Sequence, residues 1–114
     1  MAVNSKRKGK VNELAWAHML RDAGFKDARR GQQHRGSPES PDVICSELAL
    51  FHFEVKSGKQ INIWRALEQA ERDKGQEELS VVAAHKDRER WVVSMYAEEW
   101  LKVIKSMRCL SPYG

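Results

Sequence analysis

The chain has 114 residues, a hydrophobic share of 41% and a formal net charge of +4. That length holds one domain with a modest core, and the apolar share with four tryptophans excludes an intrinsically disordered chain. Two cysteines, Cys45 and Cys109, without Cys-x-x-Cys or Cys/His spacing, exclude a disulfide-stapled framework and a zinc module.

Residues 1–7 read as a basic, frayed arm, residues 8–110 as a single domain and residues 111–114 as a tail. A first helix is predicted from Lys8 to Ala23, stopped by Gly24, with Trp16, Ala17, Leu20 and Ala23 on its apolar arc. Glu13 falls inside that arc. An acid there either snorkels near the helix start or has a partner. Phe25 to Arg30 reads as a short edge strand, and Gly31 to Ser40 as a polar loop punctuated by Gly, Ser and Pro. Pro41–Cys45 and Leu48–Lys56 read as two strands of a hairpin turning around Ser46-Glu47, and Cys45 as a small core residue. A helix from Asn62 to Lys74 follows, with Ile63, Ala66, Leu67 and Ala70 on one stripe. Ser80–Ala84 and Trp91–Met95 are further strands, and a helix from Ala97 to Met107 is predicted to pack Trp100, Leu101 and Ile104. The order α-β-β-β-α-β-β-α defines an α/β fold with one mixed sheet. No stretch is long enough to cross a bilayer and no signal peptide is legible, so a cytoplasmic, intracellular setting is expected, whether cellular or phage-borne.

Chemistry concentrates where Pro41-Asp42 opens one strand and Glu54-Val55-Lys56 lies in the next. Alternate strand residues share a face, so Glu54 and Lys56 point the same way, roughly 6–7 Å apart along the chain. His52 shares that side, where it reads either as a ligand or as a sheet histidine beneath a helix. Phe51, Phe53 and Val55 take the other face. Two carboxylates beside one lysine are costly to bury for structure alone. A divalent cation removes that cost and makes a hydrolytic site. Hard oxygen donors favour Mg²⁺ or Mn²⁺.

Charge is unevenly placed. Residues 1–35 carry nine Lys/Arg against three Asp/Glu, which leaves the rest of the chain mildly acidic. A basic amino-terminal third suits a polyanion-facing surface. Trp64, Trp91 and Trp100 lie on apolar segments and read as core or dimer contacts, while Arg65 and Arg72 read as a solvated stripe flanking Gln69.

These residues resemble the PD-(D/E)xK nuclease superfamily, and within it the small archaeal or phage-borne Holliday junction resolvases. Pro41-Asp42 matches the first half of the motif and Glu54-Val55-Lys56 the second. The acid-bearing first helix, the Arg29-Arg30-Gly31-Gln32-Gln33 loop and Gln69 on the following helix extend the match, which runs from about Lys8 to Leu101. The resemblance implies a restriction-endonuclease-like αβββαβ core with a five-stranded mixed sheet flanked by helices. It implies a metal held by Glu13, Asp42, Glu54 and the Val55 carbonyl, with Lys56 orienting the attacking water and Gln69 steadying Lys56. Backbone contacts fall on Lys6, Arg7, Lys8, Lys10, Arg29, Arg30, Gln32, His34, Arg35, Ser37 and Lys59. The implied substrate is a four-way DNA junction and the implied assembly a homodimer, with no membrane and no small-molecule cofactor beyond the cation. Two other readings stay open: a repair or restriction-like endonuclease on duplex or flap DNA, and a non-catalytic DNA-binding module of the same fold.

Overall fold

The computed structural model describes residues 5–31 and 41–108, with side chains from Gly9 onward. It is an α/β protein whose single mixed sheet has five strands in the order β1-β2-β3-β4-β5. The strands are β1 (Arg29–Arg30), β2 (Val43–Ile44), β3 (Phe51–Gly58), β4 (Leu79–Lys86) and β5 (Val92–Ser94), and the helices α1 (Ser5–Asp22), α2 (Ile63–Asp73) and α3 (Ala97–Met107). Only β3 and β4 run parallel, over eight paired residues from Phe51↔Leu79 to Gly58↔Lys86; the other three pairings are antiparallel. The crossover joining β3 to β4 is α2, as a parallel pair requires.

Period-two alternation divides the core into two layers. Phe53, Val55, Val81 and Ala83 face α1 and meet Trp16, Ala17 and Leu20. Val82 and Ala84 face α2 and meet Ala66 and Leu67. Trp16 is the hinge of the first layer, edge-on to Phe53 at 5.8 Å and tilted against Trp91 at 5.5 Å. A central strand covered on both faces must read as nearly continuous burial, and Leu79 to Ala84 does.

Most boundaries follow the sequence expectation; several move. Helix α1 starts at Ser5, inside the segment expected as an arm, and Ala23 lies exposed beyond its end. Gly24 closes the helix with φ +111°, a left-handed conformation cheap only for glycine, and Phe25 N–H returns to the Leu20 carbonyl at 3.0 Å. The strand expected from Phe25 shrinks to Arg29–Arg30, because Phe25 and Ala28 are held in a turn. Ser46–Leu48 forms a 3₁₀ turn, so the hairpin's second strand begins at Phe51. Asn62 caps α2, its side-chain oxygen accepting from the Arg65 N–H at 3.1 Å.

The last helix is the clearest correction. Trp100, Leu101, Ile104 and Met107 remain 40–55% exposed, so α3 does not pack the residues expected of it. It is anchored instead by Glu99, whose buried carboxylate accepts from the Ser80 N–H at 2.8 Å and from Lys74 Nζ at 2.6 Å. Trp64 is likewise no core residue, being 75% exposed. Trp91, read as a core or dimer contact, is half-buried against the core and stacked on His85 at 5.1 Å. Among the described residues no helix is long and apolar enough to cross a membrane.

Candidate active site

The site grows from the seam between β2 and β3. Asp42 stands one residue before β2, and its N–H donates to the Phe53 carbonyl at 2.9 Å. The Val55 N–H donates to Asp42 Oδ2 at 2.8 Å. Two contacts to one neighbouring strand therefore fix both the backbone and the carboxylate of Asp42. On the other flank Gly31 donates its N–H to the Asp42 carbonyl at 2.9 Å. A Cβ at position 31 would meet the Pro41 carbonyl oxygen at 2.0 Å, so only glycine lets the two segments approach this closely.

Glu54, one residue before Val55, points to the opposite face from it, among α2 and β4, and is 3% exposed. Lys56 follows on the same face, its Nζ 3.7 Å from Glu54 Oε2 and donating to Gln69 Oε1 at 3.1 Å. Its side chain is 37% exposed, so the ammonium sits at the rim, between a buried acid and solvent. Glu13 and Arg30 close the far side: Arg30 Nε donates to Glu13 Oε1 at 2.9 Å, with Glu13 largely covered.

Burial and mutual repulsion govern the acids. Desolvation raises Asp42 from its ordinary 3.8 to about 6, and the charge of Glu13 pushes the same way; the Val55 N–H, Lys56 and Arg30 pull it down. Desolvation raises Glu54 from 4.5 to about 7, with Asp42 and Asp73 adding to the rise and Lys56 opposing it. These are two acids held near neutrality, short of compensating positive charge. A hard dication matches that donor set in chemistry, since two carboxylates and a main-chain carbonyl are oxygen ligands. Among the described residues, however, no three His, Cys, Asp or Glu side chains are gathered closely enough to form a cation site by themselves. The expected third carboxylate, Glu13, is engaged with Arg30.

The structure thus brings together Asp42, Glu54, Lys56 and Gln69 by direct contact or charge, with the Glu13–Arg30 pair beside them. Lys10 and Lys59 are exposed, and Arg29 is exposed and turned to Asp27, with Nη1 donating to the Asp27 carbonyl at 2.8 Å. The side chains of Lys6, Arg7 and Lys8, together with Gln32, His34, Arg35, Ser37 and Cys109, lie outside the described residues. His52 is fully buried, and neither ring nitrogen has a hydrogen-bond partner; Nδ1 lies 3.5 Å from Glu78 Oε1. It is a sheet histidine under a helix.

Sequence reasoning missed Arg65 and Asn62, which line a concavity of about 200 Å³ with Lys56, Ser57, Gln60 and Gln69. The signal was present: Arg65 lies four residues before Gln69, which places both on one helical face. It also missed Asp73, whose field reaches Glu54 from the last turn of α2. Comparison with known proteins finds no match: no family model, curated protein or solved structure aligns significantly with this chain.

Proposed function

We propose that this chain is a metal-dependent DNA endonuclease of the PD-(D/E)xK type, built on a restriction-endonuclease-like core and selective for branched DNA such as four-way junctions. One observation carries the reading. Asp42 and Glu54 are buried on adjoining strands with acidities raised to about 6 and about 7, and Lys56 stands 3.7 Å from Glu54 in the grip of Gln69. Structure alone gives no reason to bury two acids at that cost. The order of elements and the five-stranded mixed sheet with helices on both faces are those the resemblance implies.

A hard cation, Mg²⁺ or Mn²⁺, held by Asp42, Glu54 and the Val55 carbonyl would supply charge neutralisation at the phosphate and an acidified water. The rest is the work of this chain's residues. The Val55 N–H holds Asp42 in one orientation through its Oδ2. Lys56 has three N–H donors, more than Gln69 and Glu54 consume, and presents the remainder to the attacking water and a non-bridging phosphate oxygen. Its role is electrostatic. Arg30, beside Glu13, and the exposed Lys10 and Lys59 supply sequence-independent grip on the backbone. Paired incision of a four-way junction needs two sites facing opposite strands, which a homodimer provides. The exposed apolar residues of α3 and of the edge strand β5, Val92 and Val93, support an assembly that covers them.

The test compares cleavage of a four-way junction, a flap and a linear duplex, with and without Mg²⁺. Symmetric metal-dependent nicks near the branch point are expected, with Asp42→Asn and Glu54→Gln abolishing them and junction affinity retained. Cleavage of linear duplex at the same rate would favour a repair or restriction-like nuclease. Tight junction binding without any cleavage, unchanged by Asp42→Asn, would leave a non-catalytic DNA-binding module.

A further inference from the structure

Trp64 is the most exposed large hydrophobic residue among those described, at 75%. The buried stripe of α2 is Ala66, Leu67 and Ala70, and Trp64 lies outside it, so the fold gains no core contact from the indole. Its surroundings are specific. Trp64 borders a surface concavity of about 490 Å³ with Gln60, Ile61, Asn62 and Ile63. Gln60, Ile61 and Asn62 also line the smaller hollow that holds Lys56, Arg65 and Gln69. On its other side, Ile61 and Ile63 lead into a third hollow of about 410 Å³ that carries Lys86 and Arg90 with Glu89. From Val55 to Leu67 the chain contains Lys56, Lys59 and Arg65 and no carboxylate. A flat aromatic face is therefore set between cationic hollows, next to the candidate catalytic lysine.

We propose that Trp64 is a stacking platform for an unpaired nucleobase of the DNA substrate, with the phosphate of that strand seated in the hollow formed by Lys56, Arg65 and Gln69. The inference rests on the nuclease reading and adds a basis for its selectivity. Base faces in a continuous duplex are covered by their neighbours. Bases at a branch point, a flap or a single strand can present a face to an indole, and stacking tolerates any sequence. A positive groove beside an aromatic is the arrangement single-strand binding uses. Selectivity for branched DNA then requires no reading of base edges.

The experiment uses the full chain in EDTA, so that no DNA is cut. Affinities of Trp64→Ala and Trp64→Phe for a labelled oligothymidylate, a four-way junction and a linear duplex are measured by anisotropy at two salt concentrations. Stacking is worth about 1–3 kcal/mol per base, so Trp64→Ala should weaken oligothymidylate and junction binding by about 5- to 150-fold. Duplex binding should change less than about twofold, and Trp64→Phe should recover most of the loss. Tryptophan emission should be quenched by oligothymidylate in the unsubstituted protein and in Trp64→Phe much less, although that variant still binds. Equal losses on all three DNAs, or no loss on any, would overturn the platform. So would an altered sedimentation coefficient in Trp64→Ala with unchanged DNA affinity, which would make the indole a protein contact. Failure of Mg²⁺-dependent cleavage with the Trp64→Ala contrast intact would sink the nuclease reading while supporting the platform.

Discussion

Replacing Glu54 by Gln should make the metal-free protein more stable. Glu54 is 3% exposed and its acidity is raised from 4.5 to about 7, first by desolvation and then by the charges of Asp42 and Asp73. Between those two values the unfolded chain has lost its proton while the folded chain retains it, so stability falls as pH rises through that window. Above pH 7 the loss is complete. At about 1.4 kcal/mol per tenfold change in proton affinity, it amounts to about 3 kcal/mol. Glu54→Gln keeps the volume and removes the charge, so at pH 8 in EDTA it should recover about 2–3 kcal/mol. For a domain of this size that raises the melting temperature by roughly 10 °C. At pH 4 the gain should vanish, since the wild-type acid is then neutral in both states. Mg²⁺ should stabilise the wild type more than Glu54→Gln, because the substitution removes one of the two carboxylates that would hold the cation. Thermal melts at both pH values, with EDTA and with Mg²⁺, give the four numbers needed. A Glu54→Gln protein less stable than wild type at pH 8 would falsify the premise that this acid is buried at a cost for the sake of a ligand.

Mg²⁺ affinity should rise steeply between pH 5.5 and 7.5, since protons compete for Asp42 and Glu54 and are released on binding; titration calorimetry in two buffers of different ionisation enthalpy counts them, and no net release would contradict the raised acidities. Glu99→Ala should cost about 1–3 kcal/mol by urea unfolding, because it leaves the buried Ser80 N–H without its acceptor and Lys74 with Glu71 alone; the exposed neighbour substitution Glu98→Ala should cost less than about 0.5 kcal/mol, and comparable losses would refute the anchor. Arg30→Ala should lower the slope of log affinity against log salt by about one on every DNA tested; an unchanged slope would remove Arg30 from the DNA surface.

The order of elements was legible because period-two and period-3.6 patterns change sharply along this chain. The Lys56–Gln69 contact was implied by the resemblance alone; physically, a strand residue and a helix residue thirteen apart meet here because β3 and α2 pack as a β–α unit. What escaped was set by distant partners. Glu99 reads as the acid of a helix first turn, yet it is an internal anchor, and only its contacts with Lys74 and Ser80 make it so. Glu13 reads as a third metal acid, and its bond to Arg30 could not be foreseen, since it depends on a short strand positioned where Gly31 meets Pro41. Trp64 and Trp100 read by residue type as core or dimer contacts, and the structure removes the core half of that reading: hydrophobicity says that a tryptophan can be buried, and not that its own domain buries it. Among the described residues the two core layers are filled by α1 and α2, and neither indole belongs to them.

The Glu13–Arg30 pair gives the site a consequence that the acids alone would lack. Arg30 lowers the cost of ionising Asp42, while Glu13 raises it, and the two are bonded to each other at 2.9 Å. A phosphate approaching Arg30 competes with Glu13 for the same guanidinium, and a cation bound by Asp42 attracts Glu13 away from it. On the proposed nuclease reading both events weaken the pair in the same direction, so DNA and metal are each expected to make it easier for the other to bind. That coupling is reciprocal by linkage: the factor by which Mg²⁺ tightens DNA binding must equal the factor by which DNA tightens Mg²⁺ binding. It should shrink when Glu13 is replaced by Gln, which has no charge to hold Arg30. An isolated acid pair with a lysine has no such intermediary, and its two ligands would meet only through their own attraction.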